Sequence, residues 1–349
     1  MKALTIVEKG HAEIQDLEHP GAPAPNEAQI KVEMVGFCGG DLNAYRGTFP
    51  LQLYPTVLGH EVGATVVELG SDVPDGKFTI GDSVTLSPYF TGCGGGNCTA
   101  CKNGRPNACL DNQTMGVRRP GAMTRYVNVA HTDLYKSEKL SHKELALVEP
   151  ITVGFHAVDR GRVTSDDIVG VFGTGIVGIG CISGAAERGA TVIAIDISDE
   201  KLEVAKKCGA THTINSAKTD LHEELGKLTD GNGPSVMIEA VGLPATFRAC
   251  VEEVCFTGRV VYIGYAKAPV EYESRYFVQK ELDILGSRNC NADIDFPAVI
   301  KMLEKGEFPV DDVVSRIVTL GDGAEALVAW NDNPGAVTKI MVDINESDA

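Results

Sequence analysis

The stretch that most constrains this 349-residue chain lies at residues 168–196. An apolar run, IVGVF, leads into Gly173-Thr174-Gly175-Ile176-Val177-Gly178. A second apolar run, TVIAID, then ends in Asp196, 21 residues after Gly175. A lone G-x-G-x-x-G is a weak signal. Set between a strand and a helix, with an acid about 20 residues further on, it specifies a βαβ unit built to hold a dinucleotide. Gly173 permits the turn, Gly175 lets backbone N–H groups approach a pyrophosphate, and Gly178 lets helix and strand pack closely. The helix N-terminus adds partial positive charge. Asp196 would accept from a ribose 2′-hydroxyl and repel a 2′-phosphate, so NAD is expected in preference to NADP. Residues 168–186 are also 19 residues without a charge, long enough to raise the question of a membrane span. Five glycines within the first thirteen of them argue against an ordinary spanning helix.

From about residue 151 to 287 strand-like and helix-like runs alternate: DIVGVFG, a helical stretch, TVIAIDI, DEKLEVAKKCGA, HTIN, LHEELGKLT, SVMIEAV, ATFRACVEEV, RVVYIGYA and LDILGS. That rhythm predicts an α/β fold with a doubly wound parallel sheet. Residues 1 to about 150 read differently, as brief β-branched strands punctuated by Gly and Pro (KALTIVEK, QIKVEMVG, GATVVELG, DSVTLSP, TRYVNVA). The last 60 residues suggest a helix at DFPAVIKMLEKG, another around GAEALVAWN and a closing strand KIMVDI. The boundary near Glu149-Pro150 is inferred from this change of rhythm.

Lys plus Arg is 31 and Asp plus Glu is 48, a formal charge of −17 with no basic cluster. Neither a nucleic acid nor an anionic membrane is an expected partner. Ten cysteines are too dilute for a disulfide scaffold, and MKALTIVEKG lacks a signal-peptide profile, so a reducing, cytoplasmic location is expected. Four of the cysteines, Cys93, Cys98, Cys101 and Cys109, fall within one 17-residue window. Four thiols so close suit a closed, tetrahedral, structural zinc site. Cys181, Cys208, Cys250 and Cys255 read as small core residues, and Cys290 has no evident role. Cys38 differs, because it ends a strand among glycines that would expose it. His60, Glu61 and Glu149 could join it, although spacing alone does not bring them together.

With Cys38-Gly-x-Asp41, Gly59-His60-Glu61, Gly81-Asp82, the four-cysteine loop, Glu149-Pro150 and the glycine motif in one order, the whole chain resembles the zinc-dependent medium-chain dehydrogenase/reductase family. The resemblance implies a GroES-like β-rich catalytic domain over 1–151 with a zinc lobe at about 90–112, a Rossmann NAD-binding domain over 152–287, and a C-terminal segment 288–349 returning to the first domain. It implies two zinc ions per chain, one structural and one catalytic. Cys38, His60 and Glu149 would hold the catalytic ion, Glu61 would be an exchangeable fourth ligand, and Asp41 would orient His60. Lys201 would be a second ribose contact and Val153 would pack on the nicotinamide. Val241, Ile263, Gly264 and Ser287 would be further cofactor contacts. The implied reaction is hydride transfer from a carbinol carbon to the nicotinamide, assisted by a Lewis-acid metal.

A carboxylate at position 149 is similar to the polyol and sorbitol branch, and it makes the ligand set harder. Gly40 stands where many members carry the Ser or Thr that starts a proton relay, leaving water, Glu61, Tyr45 or a substrate hydroxyl. Asn43 stands where threonine-type members often carry His. Residues 277–289 look like the branch of L-galactonate and L-gulonate 5-dehydrogenases, so a secondary hydroxyl of a sugar acid is the expected substrate. Arg46, Arg118, Arg119 and Arg288 are candidates to hold its carboxylate. A neutral polyol or threonine is the alternative substrate, and a non-catalytic NAD-binding protein the alternative class. The family pattern also implies a homodimer or homotetramer.

Overall fold

The structure, a computed structural model, describes residues 1–48 and 53–345. The chain forms two compact units. The first comprises Met1–Glu149, Asn291–Gly306 and Val314–Ala349, and the second comprises Pro150–Cys290 and Glu307–Val313.

In the first unit the strand Glu27–Gly36 is the organising element. It pairs antiparallel with Glu61–Leu69, with Tyr126–Ala130 and with Ile340–Asp343. The sheet continues through Ser83–Leu86 to Leu134–Lys136 on one side and ends at Arg316–Thr319 on the other. A smaller sheet has Lys2–Glu8 between His11–Asp16 and Thr56–Val57. Leu4, Ile30, Val32, Val62, Val66, Leu86, Met123 and Ile340 share one buried cluster. Ala28, Ile30 and Val32 alternate with Gln29, Lys31 and Glu33, and Val62, Ala64 and Val66 are fully enclosed, so one face of this antiparallel sheet lines the core. The long helix His142–Arg160 was not foreseen, and Pro150 sits inside it. A proline removes one helical N–H donor, and as a chain breaker it masked the helix in the sequence.

The second unit is a six-stranded parallel sheet. Its order is His212–Asn215, Thr191–Asp196, Ile168–Phe172, Val236–Glu239, Arg259–Tyr262, Asp283–Gly286. The chain therefore starts in the middle, winds outward to one edge, returns and winds to the other, as a doubly wound dinucleotide fold does. Its central strands, Thr191–Asp196, Ile168–Phe172 and Val236–Glu239, are buried along almost their whole length, as the inner strands of a parallel sheet are. Ser198 and Asp220 cap the helices Asp199–Lys207 and Leu221–Leu228 by accepting from Lys201 N and Glu223 N. The charge-free stretch 168–186 is a strand, a turn and the helix Ile176–Glu187. Among the described residues no helix is long and apolar enough to cross a membrane.

Candidate active site and metal centres

The register of the first sheet explains how one largely buried set of side chains assembles. Gly36 lies opposite Glu61 on one neighbouring strand and opposite Met341 on the other. A Cβ at Gly36 would fall 1.9 Å from Glu61 Oε2, so glycine is required for the carboxylate to lie across the central strand. Two residues past the end of the strand, Cys38 caps the short helix Gly39–Tyr45, its Sγ accepting from Gly40 N at 3.3 Å. A ligand atom each of Cys38, His60 and Glu61 lie within 4.8 Å of one another.

Glu149 stands outside that trio, but its charge acts on both His60 and Glu61. It is buried, and Tyr89 Oη donates to its Oε1. Lys339, a position without a local sequence signature, donates from Nζ to Glu61 Oε2 and to Phe37 O (2.8 Å). The Glu61 and Lys339 side chains are each only 1% exposed.

The electrostatics are those of a site crowded with acids. Burial pushes Glu61 up to about 7 against the pull of Lys339, and Glu149 adds to the rise. Burial by itself would lower His60. The Cys38 sulfur and the Asp41 and Glu149 carboxylates outweigh it and raise the ring well above its usual range. Asp41 is also raised by burial. Its hydrogen bonds go to the backbone of Cys38 (2.8 Å) and Gly59 rather than to the imidazole, so it braces the loops carrying Cys38 and His60 and acts on the ring through charge alone. The buried Nδ1 of His60 has no hydrogen-bond partner. Four acidic groups, one ammonium and an orphaned imidazole nitrogen fit a divalent cation with mixed S, N and O donors.

The second cluster is all sulfur. Four sulfurs each about 2.3 Å from one zinc stand about 3.8 Å apart along a tetrahedron's edge. The Cys93–Cys101 and Cys98–Cys109 separations are 3.8 and 3.9 Å, and all four sulfurs lie within 4.8 Å of one another. All four cysteines are free of disulfides. Backbone N–H groups of Leu110 and Cys101 draw Cys98 down to about 6, while burial and its three sulfur neighbours push Cys101 up to about 12. Cys98 and Cys101 therefore do not ionise together without a cation, and a bound dication would remove that conflict.

In the second unit Gly175 caps the helix Ile176–Glu187 with no side chain on its N–H groups, and a Cβ there would meet nothing within 4 Å. This leaves a polar helix end facing open space, which suits a phosphate. Gly178 is needed for packing, since its Cβ would fall 1.9 Å from Gly173 O. Asp196 ends the next strand, where Oδ2 accepts from Thr174 N (2.9 Å) and Oγ1 (2.7 Å), and Oδ1 accepts from Ile197 N (2.7 Å) and Ser198 N (3.1 Å). Ile263 N and Gly264 N both donate to Glu239 O, Val241 packs beside Gly173, and Ser287 N donates to Tyr262 O. Val153 is half-buried on the long helix, and Lys201 lies in the first turn of the helix that Ser198 caps.

Three of the candidate arginines have contacts of their own. Arg46 donates to Asn331 Oδ1 (2.8 Å) and O (3.0 Å). Arg118 faces Asp111 at 3.7 Å, and Arg119 lies over the Phe90 ring at 4.4 Å. Arg288 belongs to the second unit.

Comparison with known proteins places these features in one family. Residues 24–139 match the alcohol dehydrogenase GroES-like domain, and residues 177–305 match the zinc-binding dehydrogenase family. D-xylulose reductase of Scheffersomyces stipitis is 37% identical over 280 residues, 77% of this chain and 76% of that protein. L-galactonate-5-dehydrogenase of Escherichia coli K12 is 31% identical over 294 residues, 84% of this chain and 85% of that protein. The crystal structure of an alcohol dehydrogenase from E. coli CFT073 with NADH superposes with a TM-score of 0.88 at 28% identity, covering 99% of both chains. The chain belongs to the zinc-type alcohol dehydrogenase family of medium-chain dehydrogenases, oxidoreductases that act on CH–OH groups.

Proposed function

We propose that this chain oxidises a secondary hydroxyl of a neutral polyol, with NAD as hydride acceptor and two zinc ions per chain. The carrying observation is the half-buried Cys38 with the buried His60 and Glu61 and Glu149 beside them, on a protein whose other cysteine cluster matches a tetrahedral sulfur cage. Cys38, His60, Glu149 and, exchangeably, Glu61 would hold the catalytic ion, which supplies Lewis-acid polarisation of the substrate oxygen.

The chain's own groups prepare that site. Gly40 N–H supports the Cys38 sulfur, Asp41 fixes the backbone of Cys38 and Gly59, and Lys339 holds Glu61. With glycine at position 40 no side-chain hydroxyl there can carry the proton away. A neighbouring hydroxyl of the substrate fills that role, which favours a polyol over a simple alcohol. Asp196 favours NAD, because a 2′-phosphate would meet its carboxylate. A ribose hydroxyl would compete with the Thr174 hydroxyl for Oδ2.

The engaged positions of Arg46, Arg118 and Arg119 favour a neutral substrate over an acid. A sugar acid is the second reading, favoured by the L-galactonate-5-dehydrogenase relative. Zinc content and NADH formation against polyols, aldonates and threonine test both. Turnover of polyols with two zinc ions per chain is expected. Activity confined to aldonates overturns the neutral-substrate reading. One ion per chain and no turnover of any secondary alcohol overturns catalysis. Faster reduction of NADP than of NAD overturns the role given to Asp196.

A further inference from the structure

In the second unit, the carboxyl ends of the strands Val236–Glu239 and Arg259–Tyr262 are tied together by one buried residue. Glu239 closes the first strand and is fully enclosed. Its Oε1 accepts from Val241 N (3.0 Å), Gly242 N (2.8 Å) and Thr246 Oγ1 (2.6 Å). Its main-chain oxygen accepts from Ile263 N (3.0 Å) and Gly264 N (3.1 Å), just beyond the second strand. One residue thus collects donors from both loops that leave the sheet on this side.

The two loops also interlock glycine on glycine. A Cβ at Gly264 would collide with Glu239 Oε2 and lie 2.5 Å from Gly242 N. Gly242 has φ +86°, and a Cβ there would lie 2.9 Å from Tyr265 O. On the other side, a Cβ at Gly173 in the glycine turn would lie 2.8 Å from Val241 Cγ2. The backbone from the glycine turn to Tyr265 is therefore closely packed, with Glu239 at its centre. Glu239 Oε2 is buried there without a hydrogen-bond partner. Unpaired buried atoms cost stability, and such departures concentrate at functional sites. Val241, Leu243 and Tyr265 on these loops are exposed apolar side chains, which suit an organic ring better than a phosphate.

A doubly wound sheet takes a dinucleotide as two nucleotides, one on each half, outside the carboxyl ends of its strands. The half that ends in Asp196 suits the adenosine ribose, which leaves the half containing Glu239 for the nicotinamide nucleotide. We propose that Glu239 is a positioning residue for that nucleotide. It acts through the two loops, holding Val241 and Gly264 where the nicotinamide half must pack. This rests on the cofactor reading given under Proposed function.

The test measures NADH and AMP binding by calorimetry for the wild-type enzyme, Glu239→Ala and Thr246→Val, with urea unfolding recorded for each. NADH carries both nucleotides and AMP only the adenosine one. Thr246→Val keeps the shape of the side chain and loses the hydroxyl that donates to Glu239, so it decides the matter if Glu239→Ala does not fold. The expected result is unchanged AMP affinity in both variants. NADH affinity should fall by about 10- to 100-fold in Glu239→Ala and by about 3- to 10-fold in Thr246→Val. Wild-type NADH affinity in either folded variant overturns the proposal. So does an equal loss of NADH and AMP, which would assign the effect to the stability of the whole unit. A wild-type enzyme that binds neither NADH nor AMP overturns the cofactor reading itself. That outcome is distinct from the others, because it appears before any substitution is made.

Discussion

The two cysteine-bearing clusters of the first unit are built on opposite plans. The lobe takes four cysteine sulfurs from one 17-residue loop, three of the residues half-exposed. The largely buried set takes a thiol from just past the end of one strand, an imidazole and a carboxylate from the start of its neighbour, and a second carboxylate from a helix. A loop of sulfurs can close on an ion with little help from the rest of the fold, and once closed it offers no vacant position. A mixed set gathered from separate elements exists only when the sheet register is correct. It also holds more donors than one ion needs at once. The first plan suits stability and the second suits chemistry.

This contrast can be broken experimentally, most sharply at Cys38. Cys38→Ala is expected to lower kcat on the order of 10³-fold while one zinc per chain stays bound and thermal unfolding barely moves. Loss of both ions would mean that the clusters are not independent. Next is Lys339→Met, which leaves the Glu61 carboxylate buried without its ammonium. Unfolding in urea should show a loss of about 3–5 kcal/mol, and a double variant with Glu61→Gln should recover part of it. Cys101→Ser should cost less, about 2 kcal/mol, with one zinc lost and most of the turnover of the remaining folded protein kept. Complete inactivation would make the lobe part of the chemistry.

The smallest effect sharpens the comparison from outside both clusters. Burial raises the Asp133 carboxyl to about 6, with Arg119 and Lys77 opposing. Its unfolded value is near 3.9, so the folded state holds the proton more tightly. That contribution is complete below about pH 4 and is lost as pH rises through about 6. Asp133→Asn should therefore match the wild type near about pH 4 and exceed it by about 1 kcal/mol above about pH 7, after allowance for solvent screening. Urea midpoints across that range check it, and zinc content should not change.

How much of this was readable in the sequence follows the same division. The lobe, the glycine turn and Asp196 are local patterns, with every partner a few residues away or at a fixed offset along one βαβ unit. Cys38, His60, Glu61 and Glu149 could be named through family resemblance, but their partners could not. Lys339 lies 278 residues from Glu61, and Tyr89 lies 60 from Glu149. Neither has a local signature, because a lysine before a strand and a tyrosine after one are ordinary. The helix His142–Arg160 was hidden by its own proline. Arg46 shows the same limit: charge suggested a ligand role, and no local pattern announces that it donates to Asn331, 285 residues away.

The Lys339 contact also has a bearing on how the enzyme is made. Cys38, His60 and Glu61 leave the ribosome early, yet the ammonium that neutralises Glu61 is encoded 278 residues later, just ahead of the strand Ile340–Asp343 that completes the sheet beside Gly36. A nascent chain halted before that point carries every proposed metal ligand and still has an unbalanced carboxylate in its core. Full activity therefore requires a chain that extends past Lys339, and proteolytic clipping upstream of it should silence the enzyme without touching a single proposed ligand.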